Sequence, residues 1–284
     1  MGSQAIQAAL WGRNAADWAQ IQEVISTEGY EYALDHLQLK PTDTLLDIGC
    51  GAGYFCQLAA TRMKQTQTGN GAAKTPAGDP TAQTAKAPAI TGFDATVPLL
   101  EEARRRSPEL TFETGDMESL PFDDEKFDVA SGFNSFQYAA SVPNALKEAH
   151  RVLKPGGKII TMIWGNKEDC EAATYLAAIG RLLPPPPPGA PGPFALSEGK
   201  RLEELLTATG FEITNSIDQP TTWDYPDLAT AIKGLLSAGP ATRAIDHSGY
   251  EKVYATISEA AQPYLQPNGH VVYQNSFRIV MAAK

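Results

Sequence analysis

The sequence predicts an α/β fold with one mostly parallel sheet and helices on both of its faces. Short apolar segments alternate with segments of helical periodicity from residue 44 onward, and this alternation is typical of parallel strands joined by helical crossovers. The first apolar segment runs directly into a cluster of glycines. A chain of 284 residues that is 43% hydrophobic is also long enough for one sizeable core with an added cap.

The strands are predicted where short apolar segments are bounded by turn residues. They are 44–48, 89–93, 110–114, 127–130, 158–163, about 211–217 and 275–281. Helices are predicted between them, at about 54–63 and most clearly at 142–153, where apolar residues recur at helical spacing before Pro155-Gly156-Gly157.

The remaining segments predict a helical cap over the sheet. Residues 5–39 have broken helical spacing, with Gly29 as the predicted break. Within the core, residues 65–88 are rich in Thr, Gly, Ala and Pro and predict a flexible surface insertion, and the proline run 184–188 favours a stiff polyproline connection. The predicted organisation is a cap at 1–40, a core at 41–165, cap segments at 166–195 and 218–270, and segments completing the sheet at 196–217 and 271–284.

Charge and cysteine content exclude several classes of function. The chain has 23 basic and 33 acidic residues, a net charge of −10, so neither nucleic acid nor a membrane surface is an expected partner. The densest basic cluster, 104–106, is interpreted as the solvated end of a helix. Three cysteines with no zinc-type spacing predict no metal site and no disulfide framework. Without a signal peptide or an 18-residue apolar run, the expected location is cytoplasmic, with no membrane insertion.

The most informative motif is Asp47-Ile-Gly-Cys-Gly-Ala-Gly53, which lies directly between a strand and a helix. Glycines there allow a tight turn and let a ligand approach the backbone. A dinucleotide fingerprint would place its third glycine at residue 54, which is Tyr54. Asp47 precedes the first glycine, and a carboxylate suits a cationic ligand better than a pyrophosphate.

Two further acids follow the next strands. Asp94 can accept hydrogen bonds from ribose hydroxyls; it lies 41 residues past Gly53, or 17 once the 24-residue insertion is removed, near the expected spacing of about 20. Asp116 and Met117 suit an adenine, since the acid can accept from the amine and the thioether can pack on the ring. Asp116 is equally suited to cap a helix at 117–120.

These motifs resemble those of the class I S-adenosylmethionine-dependent methyltransferases, and most closely the small-molecule branch similar to ubiquinone/menaquinone-biosynthesis methyltransferases. The phrases that carry the resemblance are LKPTDTLLDIGCGAG, GFDAT, GDMESLPFDDEKFDV and EAHRVLKPGGKII. It implies a Rossmann-like sheet of seven strands, the last antiparallel, with S-adenosyl-L-methionine at the carboxyl ends of the first strands. The predicted cofactor-binding residues are Trp18, Asp47, Gly49, Cys50, Gly51, Gly53, Asp94, Ala95, Asp116, Met117, Phe133 and Asn134.

The implied activity is methyl transfer to a small, largely apolar molecule such as a polyketide, a quinone or another secondary metabolite. Three alternatives stay open: the same cofactor site could serve a reaction without methyl transfer, such as a cyclisation; the chain could be an NAD(P)-dependent oxidoreductase; or it could be a cofactor-binding regulatory or interaction protein without turnover. No catalytic constellation is evident; the candidates are His247, Asn134 and Gln137. The sequence does not predict the oligomeric state.

Overall fold

The computed structural model describes residues 4–69, 88–184 and 192–284. Within them, seven strands form one sheet in the order β3-β2-β1-β4-β5-β7-β6. The strands are β1 Thr44–Ile48, β2 Ala89–Asp94, β3 Thr111–Thr114, β4 Phe127–Phe133, β5 Leu153–Trp164, β6 Glu212–Tyr225 and β7 Val271–Ala283.

The direction of the strands confirms the predicted fold class. Strands β1 to β5 pair in parallel, whereas β7 runs antiparallel between β5 and β6. Because the order reverses between β1 and β4, the carboxyl ends of these two strands flank a crevice. In open α/β sheets that crevice is where ligands bind.

Helices cover both faces of the sheet. Those that flank it are α3 Thr27–Leu37, α4 Tyr54–Gly69, α5 Val97–Arg106, α6 Val142–Val152 and α8 Arg201–Ala208. The others are α1 Gln4–Trp11, α2 Ala15–Asp17, α7 Ala173–Gly180, α9 Leu228–Leu236, α10 Gly239–Ser248 and α11 Tyr250–Ala261. A π-helical turn, Trp18–Gln22, follows α2. None of the helices in the described ranges has the length and apolar character needed to cross a bilayer.

The prediction that Gly29 breaks the N-terminal helix is wrong. Gly29 lies inside α3, and a Cβ atom there would come within 2.5 Å of the Met162 sulfur. The glycine therefore permits close packing of α3 on β5. The breaks in the N-terminal segment lie earlier, between α1 and α3, where α2 and the π-helical turn occur.

The first core helix is longer than predicted. Helix α4 continues to Gly69, so the start of the segment predicted as a flexible insertion is helical. The rest of that insertion, 70–87, lies outside the described residues, as does most of the predicted polyproline connection, 185–188.

Strand β6 crosses the predicted boundary between sheet and cap at residue 217. It continues to Tyr225 and pairs with β7 along its length, from Glu212 opposite Ala283 to Tyr225 opposite Val271. Trp223 and Tyr225 are buried on this extension. They share one hydrophobic core with apolar residues from α7, α9, α10 and α11, so the C-terminal helices pack on the extended end of the sheet.

Candidate functional site

The glycine turn after β1 is held by the neighbouring strand. The N–H groups of Gly49 and Cys50 donate to the carbonyl oxygen of Phe93 at 2.7 and 3.1 Å. Gly49, Gly51 and Gly53 all have positive φ, at 77°, 55° and 74°, a conformation that glycine adopts without steric cost. The turn is thus fixed against the end of β2.

Asp94, at the end of β2, is tied to the same turn. One of its carboxylate oxygens accepts from the N–H of Gly51 at 2.9 Å, and the other accepts from the N–H of Thr96 at 2.8 Å. Burial raises the pKa of Asp94, and these backbone donors oppose the rise. The carboxylate therefore stands at the mouth of the crevice in a fixed orientation.

A cleft of about 660 Å³ opens at this point, and we call it the glycine-turn cleft. Its walls come from the turn itself, from the ends of β2 and β4, and from the N-terminal helices, which supply Gln7, Trp11, Trp18, Ser26 and Tyr30. One extension of the cleft reaches Gln4, Gly115 and Asp116, and another reaches Glu23, Asp47 and Cys50.

Eleven of the twelve predicted cofactor-binding residues line the cleft or its extensions. They are Trp18, Asp47, Gly49, Cys50, Gly51, Asp94, Ala95, Asp116, Met117, Phe133 and Asn134. Gly53 does not line them: a Cβ atom there would come within 2.9 Å of Ala103 and of Phe112. Its position in the motif is explained by helix packing and positive φ.

Asp47 lies at the inner end of the cleft and is only 2% exposed. It accepts from the Ser131 hydroxyl at 2.8 Å and contacts the Cys56 sulfur at 3.5 Å. Burial raises the pKa of Asp47 to about 6, and Asp94 adds to the rise. A cationic group in this extension would be stabilised by the carboxylate.

The opposite extension contains Asp116 and Met117, both partly buried. The predicted helix at 117–120 is absent, since these residues form a turn. Asp116 instead accepts from the N–H of Glu118 at 3.0 Å. Residues Gln4 and Gln7 of α1 close this extension from above.

No lysine or arginine lines the cleft or its extensions within the described residues, whereas four carboxylate side chains do. They are Glu23, Asp47, Asp94 and Asp116. A pyrophosphate would meet repulsion here. The cleft therefore favours a ligand that is cationic or neutral at the contacting groups.

Several residues of the cleft were not predicted from the sequence. Tyr30 packs edge-on to Phe133, with ring centroids 5.1 Å apart, and Glu23 is buried beside the glycine turn, where its carboxylate accepts from the N–H of Ala52 at 2.7 Å. The interpretation of 104–106 as a solvated helix end is wrong for Arg106, whereas Arg104 and Arg105 are exposed at the end of α5. Arg104 donates to the carbonyl of Phe112 at 2.8 Å, and Arg106 forms an ion pair with Glu23.

A second, larger cavity of about 1740 Å³ adjoins the cleft. We call it the aromatic chamber, because its wall contains Trp11, Trp18, Tyr138, Trp164, Tyr175 and Trp223. The two cavities share Gln7, Trp11, Trp18, Ser26, Asn134 and Tyr138. A molecule in the chamber could thus reach a ligand in the cleft beside Asn134.

The three catalytic candidates are placed differently. Asn134 and Gln137 line the chamber, and the Gln137 amide donates to the Asn134 side-chain oxygen at 3.3 Å. Asn134 has a φ of 50°, and its N–H donates to the carbonyl of Met162 at 2.7 Å. His247 is exposed on α10 and lines neither cavity, so it is not positioned to act as a base there.

The indole N–H of Trp18 is buried and has no hydrogen-bond partner within the described part of the chain. It lies near Gly51, since a Cβ atom built there would come within 3.3 Å of it. A buried donor of this kind is satisfied by a ligand oxygen or by a water molecule. S-adenosylmethionine has such oxygens in its carboxylate.

The comparison with known protein families agrees with the resemblance that the sequence motifs indicate. A family model described as a methyltransferase domain matches residues 74–161. This match spans β2 to most of β5 and does not include the glycine turn. It covers the predicted residues from Asp94 to Asn134 along the chain.

Two curated proteins show the relationship over longer stretches. A malonyl-[acyl-carrier protein] O-methyltransferase of Erwinia pyrifoliae is 28% identical over 241 residues, which are 84% of this chain and 77% of that protein. A demethylmenaquinone methyltransferase of Chlorobaculum tepidum is 35% identical over 120 residues, covering 40% of this chain. The aligned part spans about half of the Chlorobaculum protein (49%).

Among solved structures, the fold is similar to that of the YcgJ protein from Bacillus subtilis. The TM-score is 0.54 at 18% sequence identity, over 91% of this chain and 98% of that protein. At this identity the likeness concerns the fold alone.

Proposed function

Since this chain is a class I S-adenosylmethionine-dependent methyltransferase, we propose that it methylates a small, largely apolar organic molecule held in the aromatic chamber. The observation that carries the proposal is the junction of two cavities at Asn134 and Tyr138. The cleft on one side has carboxylates and no basic residue within the described chain, and the chamber on the other side is aromatic. Quinone-type rings, which the Chlorobaculum relative's name indicates, are one class that such a wall accommodates.

We assign the predicted cofactor residues to parts of S-adenosylmethionine by their chemistry. The fixed carboxylate of Asp94 suits the ribose hydroxyls, and Asp116 with Met117 suits the adenine. Asp47 suits the ammonium group, and the free Trp18 N–H suits the carboxylate. The bound cofactor supplies an activated methyl group on its sulfonium.

The protein's own contribution is then mainly alignment and exclusion of water. Tyr175 lies in the chamber, and burial raises its pKa and that of Tyr138 above the ordinary phenol value. These phenols remain protonated at neutral pH and do not act as bases. The Gln137 side-chain oxygen is buried and unpaired within the described residues, so it can accept a hydrogen bond from the substrate and orient the reacting atom.

The proposal is tested in two steps with the same preparation. Calorimetric titration should show saturable binding of S-adenosylmethionine and no saturable binding of NAD(P)H; the reverse result would support the oxidoreductase alternative. Methyl-labelled cofactor is then incubated with a panel of aromatic compounds. Label in a product supports methyl transfer, whereas conversion of a compound without label would support the cyclisation alternative.

A further inference from the structure

The aromatic chamber contains one charged side chain among the described residues of its wall, and that side chain is Arg243. Arg243 lies on α10 one turn after Pro240, which also lines the chamber. The chain as a whole has a net charge of −10. Arg243 is exposed, and the other polar side chains of the wall, such as Asn134 and Gln137, are uncharged, so Arg243 is the one described residue of the wall that can attract an anionic group.

Arg243 has no partner among the described residues. It forms no ion pair or hydrogen bond with any other described residue, and the acid three positions further along α10, Asp246, is paired with Arg13 at 2.5 Å. Most other arginines of the described chain are paired with carboxylates, as Arg62 and Arg278 are. The Arg243 guanidinium is thus available to a ligand.

The wall also offers a free hydrogen-bond donor. The indole N–H of Trp223, a residue only 3% exposed, has no partner within the described part of the chain. Its ring stands beside that of Trp164, with centroids 5.3 Å apart. A buried donor without a partner is costly unless a water or a ligand atom satisfies it, and a flat molecule in the chamber can pack against the two indole rings.

We propose that the chamber selects an acidic aromatic molecule, whose anionic group pairs with Arg243 while its ring system lies against Trp164 and Trp223. The inference rests on the proposed function, because it names the class of substrate for that same site. Arg243 lines the chamber but not the glycine-turn cleft. The acidic group is therefore held away from the position of methyl transfer. It contributes to recognition of the molecule and is not the group that is methylated.

The test uses pairs of probes that differ only in charge. Two- and three-ring aromatic carboxylic acids, such as hydroxynaphthoic acids, are titrated beside their neutral methyl esters by calorimetry, with no cofactor added. We expect the acids to bind about 5- to 20-fold more tightly than the esters, because a charge-assisted pair with guanidinium is lost in the ester.

Two variants of Arg243 test whether this residue causes the preference for acids over esters. Arg243→Gln should abolish the preference for acids and leave ester affinity unchanged, and Arg243→Lys should retain part of it. Arg201→Gln removes the same charge from an exposed pair with Glu204 outside the chamber and should keep the preference. Equal binding of acids and esters across the panel, no binding of any acid, or a preference that survives Arg243→Gln would overturn the inference. Because the readout is binding of the acid alone, such a result would leave a positive cofactor titration and the proposed methyl transfer standing.

Discussion

Arg106 and Glu23 form an ion pair inside the protein that encloses one residue of the glycine turn. The Glu23 side chain is 4% exposed and that of Arg106 is 16% exposed. Glu23 accepts from the N–H of Ala52 at 2.7 Å, and Arg106 donates to the carbonyl of Ala52 at 2.6 Å. Arg106 also donates to the carbonyl of Ala19 in the π-helical turn. The pair therefore links the N-terminal segment, α5 and the turn after β1.

Replacing Arg106 should strongly destabilise the protein. Arg106→Gln leaves the Glu23 carboxylate buried without its partner, and breaking a buried pair in this way costs about 3–5 kcal/mol. Burial already raises the pKa of Glu23 to about 7, with Arg106 as the main opposing influence. The penalty should therefore be larger at pH 8.5 than at pH 5.5, where Glu23 can be protonated. Chemical denaturation at both pH values measures it.

The neighbouring residue provides the control for Arg106. Arg105 is 64% exposed and pairs with Glu102 on the surface, so Arg105→Gln should change the free energy of unfolding by less than about 0.5 kcal/mol. If the two variants are equally stable at pH 8.5, the ion pair is not a significant link between these segments.

Asp94 provides a direct test of the cofactor assignment. Asp94→Ala removes the carboxylate proposed to accept from the ribose, and hydrogen bonds to a charged group are worth about 1.5–3 kcal/mol. The calorimetric affinity for S-adenosylmethionine should therefore fall at least about 10-fold. The exposed Asp123 serves as a control, since Asp123→Ala removes the same charge outside the cleft. Unchanged affinity in Asp94→Ala would refute the ribose role.

The sequence alone was sufficient to predict the elements that depend on a local residue pattern. The run Asp47 to Gly53 and the acids that end or follow β2 and β3 could be recognised because motif spacing along the chain reflects strand ends meeting at one sheet edge. Glu23 and Arg106 could not be found in this way, because they are 83 residues apart and only the folded chain brings them together. Arg106 also sits in a basic cluster whose pattern is typical of a solvated helix end.

The errors have a common physical cause, which is that tertiary packing decides what a local signal means. A glycine within a helical pattern predicts a helix break, yet Gly29 lies inside α3 and permits the close approach of this helix to Met162. The sixth strand was predicted to end at about residue 217. Pairing with β7 instead carries β6 on to Tyr225, and this extension places Trp223 in the wall of the aromatic chamber.

Two glycines with the same φ allow the effects of backbone strain and of side-chain packing on stability to be measured separately. Gly53 and Gly156 both have a φ of 74°, so alanine at either position costs about 1–2 kcal/mol in backbone strain. A Cβ atom at Gly156 meets nothing within 4 Å, whereas at Gly53 it meets Ala103 and Phe112 at 2.9 Å. Gly53→Ala should therefore lose about 1–3 kcal/mol more than Gly156→Ala in denaturation experiments. Equal losses would show that the core around α5 yields to the added methyl group.

Asp47 should make the ligand-free protein lose stability as pH rises. Its pKa is raised from 3.8 to about 6 in the folded state, so the stabilising effect of the neutral form is complete below the unfolded pKa and is lost as pH rises through the folded one. Asp47→Asn is neutral at every pH and can still accept from Ser131. The free energy of unfolding of wild type relative to this variant should fall by about 2 kcal/mol between about pH 4.5 and 7, because stability changes by about 1.36 kcal/mol for each pH unit that separates the folded and unfolded pKa values.

Saturating S-adenosylmethionine should reduce that fall, because an ammonium group beside Asp47 favours the carboxylate and lowers its pKa. Paired denaturation curves of wild type and Asp47→Asn, with and without the cofactor, measure both effects. A stability difference that does not change with pH would mean that Asp47 is already ionised in the empty cleft. A pH dependence that S-adenosylmethionine leaves intact would instead place the cationic group of the ligand away from Asp47, and the assignment of this extension of the cleft would have to be abandoned.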